Sequence, residues 1–356
     1  MKLIFFSTDQ LGDAILANTL LDRIVSNMPN AEIYVLNKNH CHTKSLFQEN
    51  ENIREISTMS MRIFSPTSYK SFWNLCKIVK TSPKNQQIYI TSLLGSKTIF
   101  IALLPIFAVF KFFWWNIKIF GMKAYSEIAK EHIISHHISK FEQNFGVKFR
   151  DEVGANFLQK FIGDMPKKQQ KTIAILAGAS NFEKTLPAEK FAKIIAHFAD
   201  NGFKIKLLGS KSNVDQHQAS EIMRLVGGKF PIENLAGKTD LKGYFSEIAS
   251  VEYVITNDSS GQHIANALET PCGVLWARNA ESSIVKAYAW QNEITANIFG
   301  KTHYHCAKCA ILRNFFIQKP HCKGCIKKNY AKMDEKDIIS KIDEHLLFLQ
   351  ISQKIS

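Results

Sequence analysis

No apolar run in this chain is long enough to cross a bilayer. The longest, residues 99–110, is interrupted by Pro105 and closed by Lys111, short of the roughly 20 residues a spanning helix needs. A secretory leader is not expected either, because the apolar stretch Leu3-Ile4-Phe5-Phe6 is brief and soon meets Asp9. Its length and composition fit a first buried strand. No Arg-rich helix and no aromatic strand of the RNA-binding type occurs, which weakens a nucleic-acid reading. Low-complexity tracts are absent, and no internal repeat goes beyond a general similarity of the two halves. Acidic residues are in deficit, 31 against 45 Lys and Arg, for a net charge of +14. That balance favours an anionic partner: nucleic acid, a phosphorylated ligand or an acidic membrane face.

At 356 residues, 46% of them hydrophobic and 21% charged, the chain can build a real core and is expected to form two domains. Short apolar strands are expected at residues 2–7, 32–36, 53–56 and 87–91, with helices at 13–27 and 68–80. Residues 99–120 are rich in Phe and Trp. They read as a buried helix pair or as an aromatic, basic surface resting on a membrane. Gly163 to Gln170 is polar, with Gly and Pro, and reads as a linker. Beyond it the alternation restarts, with strands at 171–176, 203–208, 251–256 and 272–276. Helices are expected at 187–200, 213–226 and 261–268. Strands separated by helix-length segments imply parallel sheets. The expected architecture is therefore α/β, with two Rossmann-like domains facing across a cleft: residues 1–165, residues 166–333 and a closing helix over 334–356. Ligands of open parallel sheets bind at the carboxyl ends of the strands.

Four loops follow expected strands. In Thr8-Asp9-Gln10-Leu11-Gly12-Asp13, Asp13 falls at a helix start, where it could be a capping carboxylate or a general base. The second, residues 177–187, has no GxGxxG or Walker pattern. Its small residues, Ser180, and Lys184 ahead of Pro187 suit an anion site. The third runs Asn257-Asp258-Ser259-Ser260-Gly261-Gln262-His263. Asp258 or Ser259 could cap the following helix, leaving amide groups to face an anion, with His263 one turn inside. The fourth, residues 234–241, has a Gly turn, Lys238 and a helix start at Thr239 or Asp240.

In this order and spacing the loops resemble the heptosyltransferases of glycosyltransferase family 9. The matching residues are Gly12-Asp13, Gly178-Ala179-Ser180 with Lys184 and Pro187, Leu235 to Thr239, Asn257-Asp258-Ser259 with His263, and Thr270-Pro271. Two positions depart from the family pattern: Ser260 stands where the family usually has Gly, and Leu186 replaces an aromatic or basic residue. The resemblance implies a GT-B fold and an inverting transfer without a catalytic metal or other cofactor. Asp13 would be the base. Ser180, Lys184, Asp258, Ser259, Ser260 and Gly261 would bind the donor, supported by His263. It also implies ADP-heptose as donor and an anionic lipopolysaccharide inner-core acceptor. The enzyme would be cytoplasmic, peripheral at the cytoplasmic face of the inner membrane, with no nucleic-acid partner.

Cysteine usage adds one more feature. Cys306-x2-Cys309 and Cys322-x2-Cys325 are two pairs with the spacing of a tetrahedral four-thiolate site. Such a closed site would hold a structural Zn or Fe, and the alternative is a reduced, metal-free loop. Two other functions stay open on the residues alone: a GT-B transferase with another nucleotide sugar or a protein acceptor, and a metal-knuckle nucleic-acid-binding protein.

Overall fold

The computed structural model describes residues 2–6, 11–38, 46, 52–59, 73–74, 77–78, 81–82, 88–92, 117–119, 131–150, 157–301 and 323–355. The chain divides into two compact units, residues 1–128 with 133–161 and residues 129–132 with 162–356.

In the first unit, β1 (Lys2–Phe6) is followed by α1 (Leu11–Asn27), β2 (Glu32–Lys38), β3 (Ile53–Met59), β4 (Ile88–Ser92) and β5 (Ile117–Ile119). The strands form one sheet in the order β3-β2-β1-β4-β5, every pairing parallel. Leu3, Ile4 and Phe5 of the central strand are fully buried, as expected for a strand covered on both faces. On α1, every residue from Ala14 to Leu21 is buried, with Ile24 beyond them, so this helix is covered on nearly every side. The unit closes with α2 (Ile133–Phe145) and α3 (Phe157–Ile162).

The second unit contains β6 (Gln169–Leu176), α4 (Ala188–Asp200), β7 (Lys204–Leu207), α5 (Asn213–Val226), β8 (Ile232–Asn234) and α6 (Leu241–Ser250). It continues with β9 (Val251–Asn257), α7 (Ser260–Ala267), β10 (Cys272–Trp276), α8 (Ser283–Tyr288), β11 (Thr295–Phe299), α9 (Lys323–Lys332) and α10 (Glu335–Ile355). Its sheet runs β11-β10-β9-β6-β7-β8, again wholly parallel. Phe191, Ile194, Ile195 and Phe198 of α4 pack on Ile173 and Ile175 of β6, and Ile338 and Ile342 of α10 join the same core. Glu335 fixes the start of α10 through Lys190 and Lys193. Lys193, by its hydrogen bond, holds the Glu335 carboxyl down to about 2.

The expected strands and helices of the second unit are present, with ends shifted by a residue or two. Several elements go beyond the sequence reading. Residues 232–234 form a short edge strand that ends where the loop read at 234–241 begins. Residues 295–299 add a second edge strand, and Ile117–Ile119 is a strand within the aromatic stretch expected to be helical. The rest of that stretch, 99–116 and 120, lies outside the described residues, as does most of the helix expected at 68–80. Helix α9 is the larger correction. The sequence reading gives no helix here, yet Cys325, Ile326, Asn329 and Tyr330 are all buried. They are spaced as one face of a helix, and two of the four are polar, so a hydrophobic period does not reveal them. Among the described residues, no helix is long and apolar enough to cross a membrane.

Candidate functional site

Strands β6 and β9 lie side by side at the centre of the second sheet, although α4 to α6 separate them in sequence. Here the strand order switches direction, the place where open parallel sheets hold ligands. The loops after these two strands are those the sequence singles out.

Asn257, the last residue of β9 and fully buried, ties the loops together. Its Oδ1 accepts from the Leu186 amide at 3.1 Å, and its Nδ2 donates to the carbonyls of Ala177 at 2.8 Å and Gly178 at 3.2 Å. With the Ala177–Leu186 loop held at both ends, Ser180 stands exposed and Lys184 half-buried at the end of the turn Phe182–Lys184. The Lys184 ammonium has no ion-pair partner among the described residues. Gly178 is needed because a Cβ there would collide with the Asp215 carboxylate. That carboxylate is held by the Ser210 amide and hydroxyl, each at 2.6 Å.

Ser259, in extended backbone conformation, is the N-cap of α7, its Oγ accepting from the Gly261 amide at 3.4 Å. Thr256 Oγ1 lies 3.2 Å from the same oxygen. Ser260 is thus the first helical residue, and the remaining amides of the turn are available to an anion. Gly261 is buried where a Cβ would stand 2.5 Å from Thr256 Oγ1 and 2.6 Å from Leu176 Cδ2. The close fit of α7 onto β6 and β9 therefore requires glycine there.

Asp258 carries a carboxylate beside this helix start, and the structure supplies its counter-charge. Arg278, two residues beyond β10 and 4% exposed, donates from Nη1 to Asp258 Oδ2 at 2.8 Å. The Asp258 amide donates to the Tyr330 hydroxyl at 3.3 Å, and that hydroxyl donates to the Leu275 carbonyl at 2.9 Å. Helix α9 also packs against the turn that bears Lys184.

His263, 5% exposed, accepts at Nδ1 from the indole N–H of Trp290 at 3.1 Å. Burial, and secondarily His132, push its pKa down to about 3, so the ring is neutral at physiological pH.

Asp13 lies in the other unit, in the first turn of α1, directly after the central strand β1. It is half-buried and follows the carboxyl end of its sheet as the loops after β6 and β9 follow theirs. Of the four cluster cysteines, Cys325 is buried in α9. Cys306, Cys309 and Cys322 lie outside the described residues. The sequence reading missed Asn257 as a clamp, Arg278, Tyr330 and Trp290. Arg278 alone left a local signal, a cation just past a buried strand at the sheet's carboxyl end.

The profile of glycosyltransferase family 9 (heptosyltransferase) matches residues 118–312. The chain is 25% identical over 169 residues to lipooligosaccharide heptosyltransferase 2 of Campylobacter jejuni, covering 46% of this chain and 52% of that protein. The match thus spans about half the length of that curated relative. Among solved structures, E. coli heptosyltransferase WaaC with ADP superposes with a TM-score of 0.67 at 14% identity, covering 97% of this chain and 100% of that one. The dodecameric iron-containing heptosyltransferase TibC, in complex with ADP-D-β-D-heptose, gives 0.53 at 13% identity over 98% and 77%. Identities this low speak to the fold, which is GT-B, two Rossmann-like units in tandem.

Proposed function

The chain belongs to glycosyltransferase family 9, the heptosyltransferase family, and from that premise we propose that it moves a heptosyl group from ADP-heptose to an anionic lipopolysaccharide inner-core acceptor. The observation that carries this reading is the pair of loops tied by Asn257. One ends in Lys184, and the other opens the Ser259-capped helix onto free amides. A diphosphate needs such donors and such a cation. Relatives of this fold have been crystallised with ADP and with ADP-D-β-D-heptose, which supports the donor assignment.

In the proposed reaction Asp13 takes the proton of the acceptor hydroxyl as that oxygen attacks the anomeric carbon from the face opposite the leaving ADP, with inversion. Lys184, Ser180, Ser259 and the Ser260 amide at the start of α7 take up the charge developing on the diphosphate, the task a divalent cation performs in other transferases. A net charge of +14 suits a phosphorylated acceptor at an anionic membrane face, and we place the protein there, on the cytoplasmic side. The four cysteines Cys306, Cys309, Cys322 and Cys325 are proposed to hold a structural zinc or iron. The thiolate set suits either metal, the described member is buried, and one relative is iron-containing. Elemental analysis of protein purified without added metal is expected to give one ion per chain, and four titratable free thiols with no metal would remove the site.

A thermal-shift panel of nucleotide sugars tests the donor: ADP-heptose should raise Tm and other nucleotide sugars should not. Lys184→Ala should weaken ADP binding by about 1.5–3 kcal/mol and leave adenosine binding nearly unchanged. Stabilisation by another nucleotide sugar alone, or equal losses for ADP and adenosine, would overturn the assignment.

A further inference from the structure

A run of directional hydrogen bonds leads from the core of the second unit to His263. Trp276 of β10, fully buried, donates its indole N–H to Asn297 Oδ1 at 2.8 Å. This fixes the amide orientation of Asn297, whose Nδ2 donates to the Trp290 carbonyl at 2.7 Å. Trp290 is thereby held at its backbone, and the His132 ring lies over its indole with centroids 4.2 Å apart. Its own N–H points at His263 Nδ1, 3.1 Å away. An indole nitrogen can only donate, so Nδ1 must be the unprotonated nitrogen. In a neutral ring the proton then resides on Nε2, which has no hydrogen-bond partner among the described residues.

We propose that Trp290 is a positioning residue for the nucleotide site: it locks His263 in the Nε2-protonated neutral tautomer, so that the ring meets the donor diphosphate as an uncharged hydrogen-bond donor. This rests on the reading of the α7 turn as the diphosphate site. Tyr288 and His132 are the titratable groups whose rings approach this arrangement, Tyr288 at 6.1 Å from His263 and His132 at 4.2 Å from the indole. The arrangement has a chemical use. A cationic ring would hold product ADP more tightly than a neutral donor, whereas a neutral N–H orients the diphosphate and releases it.

Two measurements separate this proposal from the reading beneath it. Imidazole ¹⁵N spectra of the ligand-free protein at neutral pH, assigned by loss of signal in His263→Gln, should show a proton-bearing Nε2 and a bare Nδ1. Trp290→Phe should give a mixture of tautomers. A proton on Nδ1 in the wild type, or an imidazolium, overturns the proposal whether or not ADP binds. Calorimetric ADP titration should show Trp290→Phe weakening affinity about three- to tenfold, the effect of one hydrogen bond. In the His263→Gln background, whose amide has no tautomer to fix, the same change should alter affinity less than about twofold. Equal losses in both backgrounds would make Trp290 merely structural. Wild-type protein that binds no ADP would remove the donor-site reading, and the proposal with it, while leaving the tautomer assignment standing. The wild-type spectrum decides the tautomer even if Trp290→Phe fails to fold.

Discussion

Arg278 and Asp258 form a buried ion pair, Nη1 to Oδ2 at 2.8 Å, just past the carboxyl ends of neighbouring strands. Without the guanidinium, a carboxylate would stand uncompensated beside the helix start proposed to receive a diphosphate. Arg278→Met should therefore cost about 3 kcal/mol of stability and weaken ADP binding as well. Denaturant unfolding of Arg278→Met, Asp258→Asn and the double variant forms the check. The double variant should regain most of the loss, and strict additivity would show that the pair is not coupled.

Asn257 has three partners in two segments, all of them backbone groups. Asn257→Ala strands the Leu186 amide and two carbonyls, for an expected loss of about 2–3 kcal/mol. Asn257→Asp should be worse, because a carboxylate would face the Ala177 and Gly178 carbonyls. Chemical denaturation ranks the two, and a rise in KM for the nucleotide donor should accompany both.

Asp13 belongs to a different unit from the donor loops. Asp13→Asn should lower turnover by about 10²–10⁴-fold, with ADP affinity and Tm close to wild type. Near-normal turnover would leave Asp13 as a helix-start carboxylate and nothing more.

His263 has a native pKa lowered to about 3, mainly by burial, from an ordinary value of 6.5. Its neutral form is favoured by folding, so this contribution is complete above pH 6.5 and is lost as the pH falls from there toward 3. The unfolded chain binds one more proton over that window. The local slope is therefore about 1.4 kcal/mol per pH unit. Stability curves of wild type and His263→Gln should diverge at neutral pH and converge on acidification. Parallel curves would show that His263 already protonates freely in the folded protein.

The loops after β6 and β9 are readable in the sequence because each is a local strand–turn–helix unit. The Asn257–His263 loop and the small residues after β6 keep their meaning without knowledge of the rest of the chain. What completes them comes from far away in sequence: Arg278 is 20 residues from Asp258, and Tyr330 is 72. Such partners leave no periodic trace. Helix α2 is hidden because His137 occupies a buried position among Ile133, Ile134 and Phe141. Strands β8 and β11 are short edges whose partly exposed residues alternate weakly. Helix α9 buries an Asn and a Tyr where a hydrophobic scan expects aliphatic residues.

Tyr330 links the far end of the chain to the second sheet. Its hydroxyl contacts the Asp258 amide and the Leu275 carbonyl, and Asn329 beside it donates to the Ala277 carbonyl at 3.0 Å. A fragment cut at the natural-looking stop after β11 would retain every strand of that sheet and every residue of the family motifs. It would still lack the part that closes the sheet's carboxyl end behind Asp258, and it would expose Leu275, Ala277 and the underside of the Lys184 turn to water. The smallest independently folding piece that holds the second sheet must therefore run through α9 and α10, which makes residues 323–355 part of the body of that unit and not an appendage to it.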